Sequence, residues 1–194
     1  MKIYIGTDHA GYVLKEKLVS SLKGQGYEVE DMGAFEYNEE DDYPDFVIPV
    51  AREVSENSDG AKGIILGGTG EGEAIAANKF PHVRAVVYYG NAKPVVDNES
   101  NIIVRSREHN NANILSLGAR YFTEESVMEA VNLWLNTHYS GEERHVRRLE
   151  KIDGIKPLAR GLGETLHSYH IYIFKYDKSK FNIENSTRTK SDYF

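Results

Sequence analysis

Residues 62–79 read KGIILGGTGEGEAIAANK, and their succession of apolar, glycine-rich and alanine-rich segments indicates the fold class. Its apolar run, Gly63 to Leu66, predicts a buried strand, and the alanine-rich segment after Glu73 predicts a helix. The glycines between them are Gly67, Gly68, Gly70 and Gly72. They free the backbone to turn its amides onto an anion, to which the helix N-terminus adds a positive dipole end. The carboxylate of Glu73 beside them suits a base that takes a proton from carbon and leaves an oxyanion behind.

Two common phosphate-binding fingerprints fail in this turn. A dinucleotide-type G-x-G-x-x-G would need glycine at Glu73 or at Ile75, depending on the frame. A P-loop would need lysine and then serine or threonine where the chain has Glu73 and Ala74. The turn therefore argues against ATP or GTP binding. A tight strand-to-helix connection without a ligand is the alternative interpretation.

Alternating short β-rich runs and helical patterns predict a parallel sheet covered by helices. The predicted strands are Lys2 to Thr7, Tyr27 to Asp31, Lys62 to Leu66, Arg84 to Tyr89, and Ile114 to Leu117. The predicted helices are Tyr12 to Gln25, Tyr43 to Asn57, Glu71 to Lys79, and one that starts at Thr123. Such a series places a site at the carboxyl ends of the strands, where Asp8, the glycine turn and Arg120 follow.

Composition narrows the class of protein. A chain of 194 residues with 40% hydrophobic and 27% charged residues is typical of a globular protein with one core. Without cysteine it has no disulfide, thiolate metal site or cysteine nucleophile. The net charge of −7 argues against sequence-independent nucleic-acid binding. We find no signal-peptide or membrane-spanning pattern, and we expect a cytoplasmic protein with no nucleic-acid or membrane partner.

Two segments fit the alternating pattern less well. The connection from Gly90 to Arg107 is long and carries turn residues, as functional or mobile loops do. Residues 154–194 break the pattern, and we interpret them as a C-terminal extension to a catalytic domain of residues 1–153. Within the extension, the aromatic run His170 to Tyr176 suggests a docking strand, and the polar residues after it suggest a disordered tail.

Four further clusters offer chemistry, each with a plainer alternative. Asp8 and His9 follow the first strand, but Asp8 also fits an N-cap and His9 a surface residue. Tyr43 begins a segment that equally reads as a helix start. His109 and Asn110 stand among amides, or at a helix end in solvent. On a helix, the side chains Arg144, His145 and Arg148 would project to roughly one side, as a phosphate site or as a solvated cationic face.

Taken together, these segments resemble the ribose-5-phosphate isomerase B family, which includes the galactose-6-phosphate isomerases. The resemblance covers roughly residues 1 to 152. The motifs that carry it are Gly6-Thr7-Asp8-His9-Ala10-Gly11, Asp42-Tyr43-Pro44-Asp45, Gly67-Gly68-Thr69-Gly70 through Ala76-Ala77-Asn78-Lys79, Arg107-Glu108-His109-Asn110-Asn111-Ala112-Asn113, Gly118-Ala119-Arg120, and Arg144-His145-Val146-Arg147-Arg148.

The resemblance implies a Rossmann-like three-layer α/β/α sandwich with a five-stranded parallel sheet. It also implies a homodimer or homotetramer that uses no metal or nucleotide cofactor. The reaction would interconvert ribose 5-phosphate and ribulose 5-phosphate, a step of the pentose phosphate pathway, through an enediolate. Many members carry a cysteine base where this chain has Gly67. This chain instead resembles the actinobacterial-type branch, in which the glutamate at the position of Glu73 is the base.

The resemblance also assigns roles to single residues. His109 would open the sugar ring, Asp8 would support proton movement, and Tyr43 and Asn110 would line the sugar. Thr69 and the amides of Gly68 to Gly72, Gly70 among them, would hold the enediolate oxygen. The phosphate ligands would be His9, Arg120, Arg144, His145 and Arg148. The neighbouring subunit would donate His109, Asn110 and Arg120.

Two alternatives to this function stay open from the sequence. A six-carbon substrate such as galactose 6-phosphate or allose 6-phosphate is one, because the stretch Gly90 to Val104 is longer than the family leads us to expect. A non-catalytic sugar-phosphate-binding protein is the other, although Glu73 and His109 argue against it. The pKa of Glu73 is also open, since burial would raise it and helix-terminus amides would lower it.

Overall fold

The structure is a computed structural model that describes residues 1–90 and 101–155. Its strands are β1 (Lys2–Thr7), β2 (Glu28–Asp31), β3 (Ala61–Gly67), β4 (Ala85–Val87) and β5 (Ile114–Gly118). Its α-helices are α1 (Tyr12–Gly24), α2 (Pro44–Glu56), α3 (Glu71–Ala77), α4 (Ile102–Asn110), α5 (Glu124–Asn136) and α6 (Glu143–Asp153), and a short 3₁₀ turn spans His9–Gly11. None of these helices is long and apolar enough to cross a membrane.

The strands form one parallel sheet in the order β2-β1-β3-β5-β4. The chain winds outward in opposite directions from β1 and β3, so the crevice between their carboxyl ends is the switch point of the sheet. Thr7 pairs with Leu66, and Gly67 pairs with Gly118 on β5. The segments that follow these three strands therefore meet at one edge of the sheet.

Helices cover both faces of the sheet, as the alternation of side chains along the strands requires. Ile3 and Ile5 of β1 pack in a core with Leu18 of α1 and Trp134 of α5. Tyr4, between them in sequence, faces the opposite core together with residues of α2 and α3. Every residue of β3 is buried, as expected for a central strand of a parallel sheet. The predicted α/β/α sandwich with five parallel strands is confirmed.

The main difference from the sequence-based prediction is α4. Residues Ile102–Asn110 form a helix that begins inside the long connection predicted from Gly90 to Arg107 and continues beyond its end. Asn101 caps it, since its side-chain oxygen accepts a hydrogen bond from the backbone N–H of Ile103 at 2.9 Å. The predicted strand from Arg84 to Tyr89 also shortens to Ala85–Val87, because β4 is the outermost strand and pairs with β5 alone.

The predicted C-terminal extension falls almost wholly on residues 156–194, which lie outside the described residues. The same holds for residues 91–100 of the long connection. The domain division at residues 153 and 154, the docking strand and the disordered tail therefore stay predictions.

Candidate active site

The glycine turn connects β3 to α3 and is held tightly against the end of β5. Gly70 adopts a left-handed conformation with φ of +84°, which favours glycine. Its carbonyl accepts a hydrogen bond of 2.5 Å from the hydroxyl of Ser116. A Cβ added to Gly118 would lie only 2.7 Å from the carbonyl oxygen of Thr69. The turn thus has a fixed backbone, which is what an anion-holding loop requires.

Glu73 points back over this turn from the first turn of α3, the direction that helical side chains favour. Its side chain is buried, with only 4% exposed, and its Oε2 has no hydrogen-bond partner in the described residues. A Cβ added to Gly67 would lie 1.7 Å from Glu73 Oε1 and 2.3 Å from its Cδ. The carboxylate therefore fills the volume that any side chain at position 67 would need.

Burial raises the pKa of Glu73 above its ordinary value of 4.5, and the negative charges of Asp8 and Glu71 act in the same direction. The backbone amides of Glu73 and Gly70 oppose this shift by favouring the anion. Burial is the largest contribution, which answers the question that the sequence left open. A desolvated carboxylate is a better proton acceptor than an exposed one.

Asp8 stands at the carboxyl end of β1, next to the turn. Its carboxylate accepts a hydrogen bond of 3.0 Å from the backbone N–H of Ala10 and so caps the 3₁₀ turn. The capping role considered from the sequence is therefore present. Asp8 is also buried, and its charge is felt by Glu73. Asp8 thus caps the 3₁₀ turn and also places a negative charge near Glu73.

His9 is paired with Asp41, a residue that the sequence analysis did not select. Asp41 Oδ1 accepts hydrogen bonds from both the backbone N–H and the ring Nδ1 of His9, at 2.9 and 2.7 Å. The ligand atoms of Asp8, His9 and Asp41 lie within 4.8 Å of one another, and the hydrogen bond between His9 and Asp41 accounts for the proximity of that pair. The acidic run Glu39 to Asp42, just before Tyr43, is the sequence feature from which Asp41 could have been selected.

Tyr43 and Arg120 flank the glycine turn within the same chain. A Cβ added to Gly72 would meet the hydroxyl of Tyr43 at 2.9 Å. A Cβ added to Gly68 would meet the guanidinium of Arg120 at 3.4 Å. The resemblance implied that Arg120 comes from the neighbouring subunit, whereas in the single chain it lies over its own turn.

His109 and His145 form a second group, on α4 and α6. Their ring centroids are 4.2 Å apart with an interplanar angle of 42°. Arg105 donates to His109 Nε2 at 3.2 Å, and the hydroxyl of Ser140 lies 2.9 Å from His145 Nδ1. Burial, followed by the positive charges of His109 and Arg144, lowers the pKa of His145 below its ordinary value of 6.5. Asn110 follows His109 at the exposed end of α4.

The basic cluster on α6 does not share one surface. Arg144 and Arg148 are exposed, and Arg144 pairs with Glu142 at 2.8 Å. His145 is buried because it lies one helical turn before Leu149, on the face that α6 packs inward. The expectation that all three side chains project to roughly one side is therefore wrong for His145.

The described contacts thus place the predicted residues in separate groups. The first, at the glycine turn, contains Asp8, His9, Tyr43, Gly68, Thr69, Gly70, Gly72, Glu73 and Arg120. The second, between α4 and α6, contains His109, Asn110 and His145, with Arg144 and Arg148 exposed beside it on α6. The first group can supply a base with oxyanion donors, and the second offers two histidine side chains, His109 and His145.

Comparison with known proteins gives one consistent result. A profile of the ribose/galactose isomerase family matches residues 3–152. Ribose-5-phosphate isomerase B of Mycobacterium tuberculosis is 39% identical over 150 residues, which are 77% of this chain and 86% of that protein. The Escherichia coli protein of the same name is 39% identical over 156 residues, 80% of this chain and 96% of that one.

Solved structures agree in fold and in sequence. Ribose-5-phosphate isomerase B from Mycoplasma genitalium, solved with bound ribulose 5-phosphate, matches with a TM-score of 0.72 and 36% identity over 78% of this chain and 93% of that chain. The Clostridium thermocellum enzyme matches with a TM-score of 0.70 and 42% identity, over 79% and 95% of the two chains. The chain belongs to the ribose/galactose isomerase family.

Proposed function

We propose that the protein interconverts ribose 5-phosphate and ribulose 5-phosphate through an enediolate, with Glu73 as the base. One observation carries the choice of base: the Glu73 carboxylate is buried directly over Gly67, at the edge of a turn whose backbone is fixed. The proposed substrate is inferred from the relatives, which are named ribose-5-phosphate isomerase B. The pentose phosphate pathway is the metabolic setting that this reaction implies.

Isomerisation of this kind removes a proton from the carbon next to a carbonyl. Glu73 Oε2, which has no hydrogen-bond partner in the described part of the chain, is the atom that would receive it. Negative charge then develops on the carbonyl oxygen, and amides of residues 68–72 with Thr69 would hold it. One donor aimed at such an oxyanion is worth about 3 kcal/mol. Because the pKa of Glu73 is raised, activity should fall off in acid at a higher pH than 4.5.

The second group would complete the site from a neighbouring subunit. His109 would open the sugar ring, and Asn110 would contact the sugar. His9, Arg120, Arg144, His145 and Arg148 are the proposed phosphate ligands. The separation of the two groups in a single chain supports a homodimer or homotetramer whose sites combine the turn of one chain with α4 of another.

The first experiment compares Glu73→Gln with Glu71→Gln in an isomerisation assay on ribose 5-phosphate. Glu71 is the matched control, because it lies in the same turn but is exposed. We expect Glu73→Gln to lose about 10³-fold in kcat while KM stays nearly constant, as for a general base, and Glu71→Gln to keep near wild-type kcat. Full activity in Glu73→Gln would refute the assignment of the base. Galactose 6-phosphate and allose 6-phosphate in the same panel test the six-carbon alternative.

Mixing two inactive variants tests the shared site. In a dimer formed from one Glu73→Gln chain and one His109→Asn chain, one of the two sites keeps both residues if the site is shared. Random mixing should then restore about a quarter of wild-type activity, since about half of the dimers are mixed and each has one intact site. No gain over the separate variants, with mixed dimers shown by native mass spectrometry, would place both residues in one chain.

A further inference from the structure

We propose that Asp41 is a positioning residue for His9: it holds the Nδ1 side of the ring, so that Nε2 is the atom left for the substrate phosphate. This inference rests on the proposed function, in which His9 is a phosphate ligand. Asp41 itself would not touch the substrate.

The geometry fixes both the place and the orientation of the ring. A carboxylate can only accept hydrogen bonds, so the 2.7 Å contact requires a proton on His9 Nδ1. The same oxygen accepts the backbone N–H of His9 at 2.9 Å, which ties the ring to its own main chain. Tyr37 adds an edge-on contact at 6.3 Å between ring centroids. Rotation of the ring would break the hydrogen bond, so Nε2 has one direction to face.

The negative charge of Asp41 favours an electrostatic role for the pair with His9, in addition to packing. Its side chain is only 9% exposed, and its Oδ2 is buried with no hydrogen-bond partner in the described residues. A carboxylate in that position needs a counter-charge, and His9 is the described side chain with which it pairs. The oxygens of a phosphate dianion also only accept, so a ring that holds Asp41 through Nδ1 would bind such a phosphate by donating from Nε2 as well. Such an imidazolium bridges two anions, Asp41 on one side and the phosphate on the other.

The loop that carries Asp41 is anchored, where it begins, to the end of β1, the strand that precedes His9. Thr7, at the end of β1, donates its backbone N–H to the Gly33 carbonyl at 2.8 Å, and its own carbonyl accepts the N–H of Ala34 at 2.7 Å. Lys15 Nζ, fully buried, donates to the carbonyl of Ala34 at 2.8 Å. The end of β1 therefore anchors both the turn that carries His9 and the start of the loop that carries Asp41, although 32 residues separate the two in sequence.

The test uses the full-length chain and steady-state kinetics on ribose 5-phosphate. Asp41→Asn keeps the size and an acceptor oxygen but removes the charge, and Asp41→Ala removes both. We expect KM to rise about 10- to 100-fold in Asp41→Ala and less in Asp41→Asn, the range of a hydrogen bond to a charged group, with kcat changed less than threefold. Glu40→Gln is the matched control, since it removes an exposed charge next to Asp41.

A double-mutant cycle with His9→Ala separates positioning from simple loop support. If Asp41 acts through His9, adding Asp41→Ala to His9→Ala should change KM by less than twofold. Equal rises in KM in both backgrounds, or an unchanged KM in Asp41→Ala with normal thermal stability, would overturn the proposal. A wild-type chain without ribose 5-phosphate isomerisation would instead refute the proposed function. In that case, calorimetric titration of inorganic phosphate into wild-type and into Asp41→Ala protein still tests the His9 pair. Equal affinities for phosphate would overturn it.

Discussion

Replacing Gly67 by alanine should disable the proposed base, Glu73, by displacing its carboxyl group without changing the residue itself. The added Cβ would lie 1.7 Å from Glu73 Oε1, 2.3 Å from Cδ and 3.0 Å from Cγ, whereas non-bonded carbon atoms are most favourable at about 3.5 to 4.0 Å. The carboxyl group must therefore retreat by roughly 1.5 Å. A misplacement of about 1 Å can cost about 10²-fold in rate, so we expect kcat to fall by about 10²-fold or more. That loss corresponds to about 2.7 kcal/mol of transition-state stabilisation.

The assay measures kcat and KM on ribose 5-phosphate, together with thermal unfolding. Gly24→Ala is the matched control, since nothing lies within 4 Å of a Cβ added at that helix position. Gly67→Ala should lose kcat with a smaller change in KM, because the atoms nearest to the added Cβ all belong to Glu73 and none to a proposed phosphate ligand. A Gly67→Ala enzyme with kcat within threefold of wild type would refute the reasoning, for the base would then tolerate displacement or be another group.

Three further outcomes test the turn and its supports. Because burial raises the pKa of Glu73 above 4.5, the folded state holds that proton more tightly than the unfolded state, and the free energy of unfolding falls as pH rises above about 4.5. Glu73→Gln should therefore be more stable than wild type in urea at pH 8 and show no gain at pH 4. Lys15→Met removes the buried partner of Asp31 at 2.6 Å and should lower the unfolding free energy by about 2 to 3 kcal/mol, a loss visible in urea titration. Ser116→Ala removes the donor to the Gly70 carbonyl, and a loss of about 1 kcal/mol of stability with a lower kcat is expected; an unchanged kcat would mean that the turn needs no such support.

The sheet and the turn were predictable because both are local in sequence. Period-2 and period-3.6 patterns identify strands and helices, and a glycine-rich segment between a strand and a helix identifies the turn. The position of Glu73 over Gly67 also follows from local rules, since a side chain in the first turn of a helix points back toward its N-terminus. The sequence therefore predicts these features correctly because each depends on residues that are close together in the chain.

The parts that were missed depend on tertiary contacts. Helix α4 begins with the β-branched residues Ile102, Ile103 and Val104, whose helix propensity is low, and its burial against α5 and α6 offsets that preference. The partnership of His9 with Asp41 joins two loops and has no periodic signature. His145 was expected beside Arg144, but the inward face of α6 takes it into the interior. None of these outcomes can be read from a single window of sequence.

The overlap between Glu73 and a side chain at position 67 restricts how such a protein can evolve. The resemblance places a cysteine base at position 67 in many members of the family, but a cysteine Cβ there would collide with Glu73. Under the proposed function, losing Glu73 first would remove the base, and gaining a side chain at 67 first would displace it. Each single replacement would thus be expected to lower activity. If Glu73 is the base, positions 67 and 73 are therefore expected to depend on each other, so that exchanging one base for the other would need both substitutions.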